Sequence, residues 1–270
     1  MNRKIRLVLA DNHQFVTDAC RQMLGPEFEV ADVAVDGRAL VKSAIQLKPD
    51  GVILEVALPQ LNGIDVARQL KLRVPMLKLI FLSANSDVNV AAEAFRAGAS
   101  GYVLKRSGAQ EFVAAVRRVM RGESYLSPLI ARETIDYLLR SPDVTTSRPR
   151  ITAREAEILQ LLAEGSSMKQ VAAVLGITSG TVAFHKYKMM ERLGIESNAG
   201  LIQYAMSMYM TVPQSGWVAT RGEQRPFMLP PEETEELLPL LRGNGEGQRQ
   251  LRGHARMRRR PERAYAADIQ

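Results

Sequence analysis

Residues 152–195 read TAREAEILQLLAEGSSMKQVAAVLGITSGTVAFHKYKMMERLGI and decide the fold of the C-terminal half. Thr152 and Glu155, three positions apart, form the capping-box pattern that starts a helix. Apolar residues follow at helical spacing, and glycines at positions 165 and 176 interrupt them where helices end. The stretch therefore predicts three short helices joined by turns.

The third predicted helix, capped by Thr178 or Ser179, has two different faces. Val182, Met189 and Leu193 form an apolar face, with Met190 beside them. The other face holds Ala183, Phe184, Lys186, Tyr187 and Lys188. A short turn before an exposed, partly basic helix is the arrangement that reads the major groove of DNA. The residues expected to contact DNA are Thr178, Thr181, Ala183, Phe184, His185, Lys186, Tyr187 and Lys188. Phe184 and Tyr187 are expected against thymine methyls or sugars, and the two lysines against phosphates.

A plain helical bundle with solvated lysines is the alternative interpretation of this unit. Residues 150–210 carry six Lys and Arg against five Asp and Glu, so the unit is nearly neutral. Because phosphate neutralisation supplies much of the affinity for DNA, charge alone does not select DNA binding. The prediction rests on the turn-and-cap pattern.

The same stretch resembles the LuxR-type helix-turn-helix, and the resemblance covers the whole unit. The matching residues are Thr152, Arg154, Glu155, Ala172, Leu175, Ile177, Thr181, Val182, His185, Leu193 and Gly194. Ala183 stands where that family usually has a lysine, and Tyr187 stands where another basic residue is common. DNA-site preferences of the family therefore do not transfer to this chain.

The N-terminal half, residues 5–121, alternates short apolar runs with helical patterns. Five strands alternating with five helices predict an α/β, doubly wound, five-stranded parallel sheet, followed by the all-α unit. The strands are predicted at IRLVLA, FEVADVA, GVILEVA, LKLIFLS and GYVLK. Ligands of such sheets bind at the carboxyl ends of the strands.

Polar residues stand at those carboxyl ends: Asp11, Asn12, Glu55, Ser83 and Lys105. Acids after the first and third strands can hold Mg²⁺, and a hydroxyl with a lysine can clamp phosphoryl oxygens. The set resembles the receiver domain of two-component response regulators, and with the helical unit the chain resembles a NarL-type response regulator. The resemblance implies a switch role for Tyr102, which we expect to be half-buried.

Two positions depart from the receiver pattern. Glu55 aligns with the phosphorylated aspartate of the family, and Asn12 aligns with the second acid of its acidic pair. The extra methylene of Glu55 displaces the carboxylate, and Asn12 removes a charge, so a Mg²⁺ site at Asp11 and Glu55 is expected to be weak. We predict a salt bridge between Glu55 and Lys105. Either this charge imitates phosphorylation, or the receiver is degenerate and serves dimerisation or partner binding.

Composition excludes several classes of protein. The chain has 270 residues, a formal net charge of +7 and one cysteine, Cys20. A disulfide framework is excluded, and a reducing cytoplasm fits. Cys20 is expected to fill the core rather than act as a nucleophile. No apolar run is long enough for a membrane span, and no glycine-rich phosphate loop, nucleophile elbow or metal triad predicts an enzyme.

Four regions are predicted: a receiver-like domain at 1–122, a linker at 123–149, a helix-turn-helix domain at 150–211 and a disordered tail at 212–270. The linker contains an amphipathic helix, SPLIARETIDYLLR, which can rest on either domain or pair between subunits. The tail contains a possible short helix at 231–242 and an arginine-rich end. That end either adds contacts to nucleic acid or stays solvated.

These features predict a DNA-binding transcription regulator whose receiver works without phosphorylation. The expected partners are double-stranded DNA, a second copy of the chain on that DNA, and a sensor kinase. The alternative is a protein-interaction module that titrates a kinase or another regulator and contacts DNA weakly. The near-neutral helical unit and Ala183 favour the alternative, whereas the intact pattern of caps and turns favours the regulator.

Overall fold

The structure is a computed structural model that describes residues 3–140 and 151–208. The predicted flexible part of the linker and the predicted tail, with its short helix and arginine-rich end, lie outside these residues. Among the helices described, each is too short or too polar to cross a bilayer. The predicted region boundaries at 122, 149 and 211 stay predictions.

Residues 5–126 form a parallel sheet with the strand order β2-β1-β3-β4-β5-β6. The strands are β1 Ile5–Ala10, β2 Phe28–Ala34, β3 Gly51–Leu54, β4 Lys78–Ser83, β5 Gly101–Leu104 and β6 Tyr125–Leu126. The five predicted strands are confirmed. The sixth strand was missed because two residues are too few to show the alternation of a strand. Glu55 follows β3 rather than lying within it.

Helices cover both faces of this sheet. They are α1 Gln14–Leu24, α2 Gly37–Leu47, α3 Gly63–Arg73, α4 Val88–Arg96 and α5 Ala109–Met120. Alternate residues of β1 face opposite sides, so Val8 packs in the cluster of α2, α3 and α4, and Leu9 packs in the cluster of α1 and α5. The predicted doubly wound arrangement is confirmed. It brings the carboxyl ends of β1, β3, β4 and β5 to one edge of the sheet.

The predicted amphipathic helix is α6, Pro128–Arg140, and it packs on α4. Ile130 is buried in the same core cluster as the sheet residues. The guanidinium of Arg96 on α4 lies 5.6 Å from the ring centroid of Tyr137 on α6. Of the placements that the sequence left open, this chain adopts the one against the receiver.

Four helices form the C-terminal unit: α7 Ala153–Ala163, α8 Met168–Leu175, α9 Ser179–Leu193 and α10 Asn198–Ser207. The predicted capping box is confirmed, because Thr152 and Glu155 cap each other's backbone N–H groups. Gly176 ends α8 in the left-handed conformation, with φ of 64°. Thr178, rather than Ser179, caps α9. Helix α10 packs back on α7.

Candidate functional site

Four of the five predicted pocket residues meet at the carboxyl edge of the sheet. The Nζ atom of Lys105 lies 2.7 Å from Oε2 of Glu55 and 2.5 Å from Oδ2 of Asp11. The hydroxyl of Ser83 donates to Oε1 of Glu55 at 2.5 Å. The predicted salt bridge between Glu55 and Lys105 is therefore confirmed, and Asp11 joins it as a third member.

The charges of this pocket stabilise one another. The side chains of Asp11 and Glu55 are 6% and 8% exposed, and that of Lys105 is 20% exposed. Burial by itself lowers the pKa of Lys105, but the neighbouring Glu55 and Asp11 carboxylates outweigh it and raise the pKa above its ordinary value. Lys105 therefore stays charged between two buried carboxylates.

Asn12 does not join the other four residues. Its side chain is exposed at the start of the loop after β1. The neighbouring His13 takes part instead, because its backbone N–H donates to Oδ1 of Asp11 at 2.9 Å and its Nδ1 lies 3.0 Å from the same oxygen. Sequence reasoning missed His13 because an isolated histidine next to a strand end carries no motif.

The residues present fit Mg²⁺ poorly. Both carboxylates that might bind the ion, Asp11 and Glu55, already pair with Lys105. Within residues 3–140 and 151–208, no three metal-ligating side chains cluster. A hard divalent cation prefers several free oxygen ligands, so it would have to displace the ammonium of Lys105 from both acids.

Tyr102 is fully buried, so the expectation of a half-buried ring is wrong. Its ring stacks on Phe81 with centroids 6.0 Å apart, because β4 and β5 are neighbours in the sheet. Its hydroxyl donates to the backbone carbonyl of Asn85 at 2.8 Å. The backbone N–H of Asn85 donates to the Ser83 hydroxyl at 3.2 Å. Asn85, which the sequence did not single out, therefore links Tyr102 to the pocket.

Cys20 lies beneath this pocket and is buried. Burial, with a smaller contribution from Asp11, raises the pKa of its thiol to about 12. Because the thiolate is the nucleophilic form, Cys20 is inert near neutral pH, and its predicted role in the core is confirmed.

The outer face of α9 carries most of the residues expected to contact DNA. Phe184 and Tyr187 are 62% and 60% exposed. Lys188 is exposed beside them, with its ammonium 5.5 Å from the ring centroid of Phe184. Thr178 and Thr181 stand at the first turn, where the Thr178 side chain accepts a hydrogen bond from the backbone N–H of Thr181. Ala183 and His185 are partly buried at the edges of this face.

Lys186 does not lie on that exposed face, so the prediction that places it there is wrong, while the contact of its ammonium with a phosphate stays a prediction. It is only 9% exposed. Val182 lies one turn before it and Met190 one turn after it, and both are buried, so helical periodicity turns Lys186 toward the core. Its ammonium reaches to 5.2 Å from the ring centroid of Tyr187. Its aliphatic stem is long enough to carry the ammonium from the buried face to the ring of Tyr187, which is 60% exposed.

Comparison with known proteins fits both halves of this arrangement. Residues 7–117 match the family described as the response regulator receiver domain, and residues 149–205 match the bacterial regulatory proteins of the luxR family. The transcriptional regulatory protein MctR of Rhizobium johnstonii is 33% identical over 205 residues, which are 75% of this chain and 94% of MctR. The chain belongs to the LuxR family of DNA-binding response regulators.

Other response regulators show the same two-part design. The transcriptional regulatory protein DegU of Brevibacillus brevis is 27% identical over 81% of this chain and 97% of its own length. A structure of the RcsB response regulator of Salmonella typhimurium aligns with a TM-score of 0.52 at 23% identity, covering 76% of this chain and 98% of RcsB. That likeness shows the fold. The curated relatives are named as transcription regulators.

The response regulator also brings its two halves into contact through α7, which sequence reasoning missed. Gln160 of α7 is fully buried, and its side chain hydrogen-bonds to the backbone of Leu58 and Asn62 in the loop after β3. Arg38 on α2 donates to the carboxylate of Glu157 on α7 at 2.8 Å. The partners are about 100 residues apart in sequence, and no local pattern marks them.

Proposed function

We propose that this LuxR-family response regulator controls transcription without phosphoryl transfer, with the carboxylate of Glu55 as a permanent charge in its receiver. One observation carries this proposal: the pocket groups that would hold a phosphoryl group already bind Glu55. Lys105 and Ser83 contact its two carboxylate oxygens, and the backbone N–H of Val56 donates to Oε1 at 2.6 Å.

The chemistry of the pocket supports this view. A carboxylate attacks phosphorus through a free oxygen, whereas both oxygens of Glu55 are engaged, Oε1 by Ser83 and Val56 and Oε2 by Lys105. A transferring phosphoryl group also needs positive charge around it. Here the ammonium of Lys105 is shared between Glu55 and Asp11. A displacement of about 1 Å can slow a positioned reaction about 100-fold. A carboxylate that sits on a longer side chain and already accepts hydrogen bonds is therefore a poor acceptor of a phosphoryl group.

The imitation of phosphorylation is partial. One carboxylate carries a single negative charge, whereas a phosphoryl group carries about 1.5 to 2. Glu55 nevertheless makes the contact with Ser83 that continues through Asn85 to the buried Tyr102. This chain of hydrogen bonds holds one arrangement in the absence of any phosphodonor.

Intact-mass spectrometry after incubation with Mg²⁺ and acetyl phosphate tests the proposal. The unaltered chain should show no adduct, and Glu55→Gln is the matched control without an acid. Glu55→Asp shortens the side chain by one methylene and makes room for a phosphoryl group in the pocket. This variant should therefore acquire a phosphate adduct, provided that the other pocket residues support phosphoryl transfer. A stoichiometric adduct on Glu55 itself would overturn the proposal and would make a sensor kinase an expected partner.

The DNA-binding half of the proposal rests on the exposed face of α9. We propose that Phe184, Tyr187 and Lys188 contact the duplex and that two copies bind DNA together. Selection of bound fragments from a random duplex pool should enrich one sequence, and a two-fold symmetric site would indicate a dimer. Failure to retain any duplex at low ionic strength would instead favour a protein-interaction module.

A further inference from the structure

The receiver presents one loop to the helix-turn-helix unit. Loop 55–62, between β3 and α3, offers backbone groups at every second residue. The side chain of Gln160 donates to the carbonyl of Leu58 at 2.8 Å and accepts from the N–H of Asn62 at 2.7 Å. The N–H of Gln60, between them, donates to the carboxylate of Glu164 at 3.0 Å.

Gln160 satisfies both its donor and its acceptor in this contact. It is fully buried, and its amide nitrogen also donates to Glu164 at 2.8 Å. No polar atom of the Gln160 amide is left unpaired in the contact, so its hydrogen bonds favour the arrangement in which the two halves touch. An amide donates through its nitrogen and accepts through its oxygen, so the one side chain of Gln160 binds a backbone carbonyl and a backbone N–H at the same time.

The backbone of the loop is held in an unusual shape at the contact. Gln60 adopts a left-handed conformation, with φ of 63°, which residues other than glycine rarely take. Such a conformation persists only where surrounding contacts enforce it. The N–H group of this residue is the one that binds Glu164.

The loop is anchored to the acidic pocket at its first residues. The N–H of Val56 donates to the carboxylate of Glu55, and the N–H of Gly63 donates to the carbonyl of Val56 at 2.7 Å. A Cβ atom at Gly63 would lie 2.2 Å from the backbone oxygen of Glu55, so the loop closes tightly there. The shape that Gln160 contacts therefore begins at the pocket carboxylate.

A second polar contact extends the interface along α7. The carboxylate of Glu157 accepts from Arg38 on α2 at 2.8 Å and from Gln69 on α3 at 3.2 Å. Phe184 and Tyr187 on α9 remain more than half exposed in the same structure. The receiver thus contacts α7 and leaves the outer face of α9 open.

We propose that loop 55–62 is the docking site of α7, that Gln160 recognises its backbone, and that this contact orients the helix-turn-helix without covering its DNA-binding face. The inference rests on the proposed function only in taking α9 as the DNA-binding helix. The contact is an orienting clamp, in which the receiver fixes the direction that α9 faces.

The clamp is tested by NMR relaxation and hydrogen exchange on the full chain. Gln160→Ala removes both loop contacts, and Gln160→Glu keeps the acceptor but loses the donor beside Glu164. In the unaltered chain we expect one rotational correlation time for the receiver and the helix-turn-helix. We expect two correlation times in both variants. Gln203→Ala, an exposed glutamine on α10, is the matched control and should keep one.

Hydrogen exchange tests the contact without relying on a variant's correlation time. The amide of Asn62 should be protected in the unaltered chain. It should exchange about tenfold faster in Gln160→Ala, since one neutral hydrogen bond contributes roughly a factor of ten. An unprotected Asn62 amide in the unaltered chain, or one correlation time in both Gln160 variants, would overturn the clamp.

The affinity for duplex DNA distinguishes a contact that only orients the helix-turn-helix from a contact that covers its DNA-binding face. Anisotropy with a mixed-sequence duplex at low ionic strength should give affinities within about twofold for Gln160→Ala and the unaltered chain, because the open face of α9 is the same in both. An increase of about tenfold or more would show that the contact hides the DNA-binding face, and would overturn the orienting role. Absence of duplex binding in every variant would refute the proposed function, while the relaxation data would still test the docking.

Discussion

Replacing Lys105 with methionine removes the positive charge that binds two buried carboxylates. Methionine keeps most of the volume of the lysine stem, so packing changes little. The variant leaves Asp11 and Glu55, which both lie within 2.7 Å of the same ammonium, without a cation between them. Glu55 keeps its hydrogen bonds from Ser83 and Val56, whereas Asp11 keeps, among the residues that the structure describes, only its contacts with the backbone N–H and Nδ1 of His13.

The expected loss of stability follows from the burial of these three groups. Removing one partner of a buried ion pair costs about 3–5 kcal/mol. Because the side chain of Lys105 is 20% exposed, some solvent screening remains, and we expect the lower end, about 3 kcal/mol. The stabilisation that the ion pairs of Lys105 provide should decrease at high pH.

The raised pKa of Lys105 in the folded chain sets that direction. A raised folded pKa means that the ion pairs contribute fully below the ordinary lysine value of 10.5. Their contribution is lost as the pH rises through the folded pKa, so the difference between the variant and the unaltered chain should shrink above that range.

Urea unfolding followed by pulsed hydrogen exchange and mass spectrometry measures this loss in the receiver. Peptides that contain β1 and β3 report the unfolding of the sheet in the full chain. Their midpoint should fall in Lys105→Met, with an unchanged dependence on urea. Lys169→Met, at an exposed position on α8, is the control and should leave the midpoint in place. A midpoint equal to that of the unaltered chain at neutral pH would refute the ion-pair reasoning.

Three further predictions concern the core, the loop and the DNA-binding face. Native Cys20 should resist alkylation by iodoacetamide at about pH 8, since burial raises its pKa to about 12, and it should react after unfolding in urea. Gly63→Ala should lower the free energy of unfolding by about 1–3 kcal/mol, because its Cβ would overlap a backbone oxygen, whereas Gly180→Ala, with its nearest atom at 3.7 Å, should not. Lys188→Ala should reduce the salt slope of duplex binding by about one, whereas Lys186→Ala should lower the melting temperature and leave that slope unchanged; equal slopes in both variants would contradict the assignment of faces.

The local features of the fold were predictable from the sequence because their causes are local. The capping box joins Thr152 to Glu155, three residues away, and Gly176 ends a helix through its own backbone freedom. The first five strands, β1 to β5, are apolar runs bounded by polar turns, so their positions and their alternation with helices are visible in the chain. Parallel topology then predicts that Glu55 and Lys105 meet at one edge, as they do.

The position of Lys186 shows where the assignment of a helix face by residue type fails. Two faces of α9 were assigned by residue type, which placed every lysine outside. Packing against α7 instead buries the face that contains Val182 and Met190, and Lys186 lies between them in the helical repeat. A long aliphatic stem tolerates that position as long as the ammonium reaches the surface.

The sequence by itself determined the helices, five strands, the order of these elements along the chain and four residues of the pocket, because backbone propensity, caps and apolar spacing act over a few neighbouring positions. Tertiary structure alone decided that Asn12 is exposed outside the pocket cluster, that Tyr102 is fully buried and that Gln160 binds loop 55–62. These outcomes depend on contacts between segments that are far apart in the chain. The shape of the packed elements and the need to pair buried backbone groups select the partners there, and the spacing of residues along the sequence does not predict them.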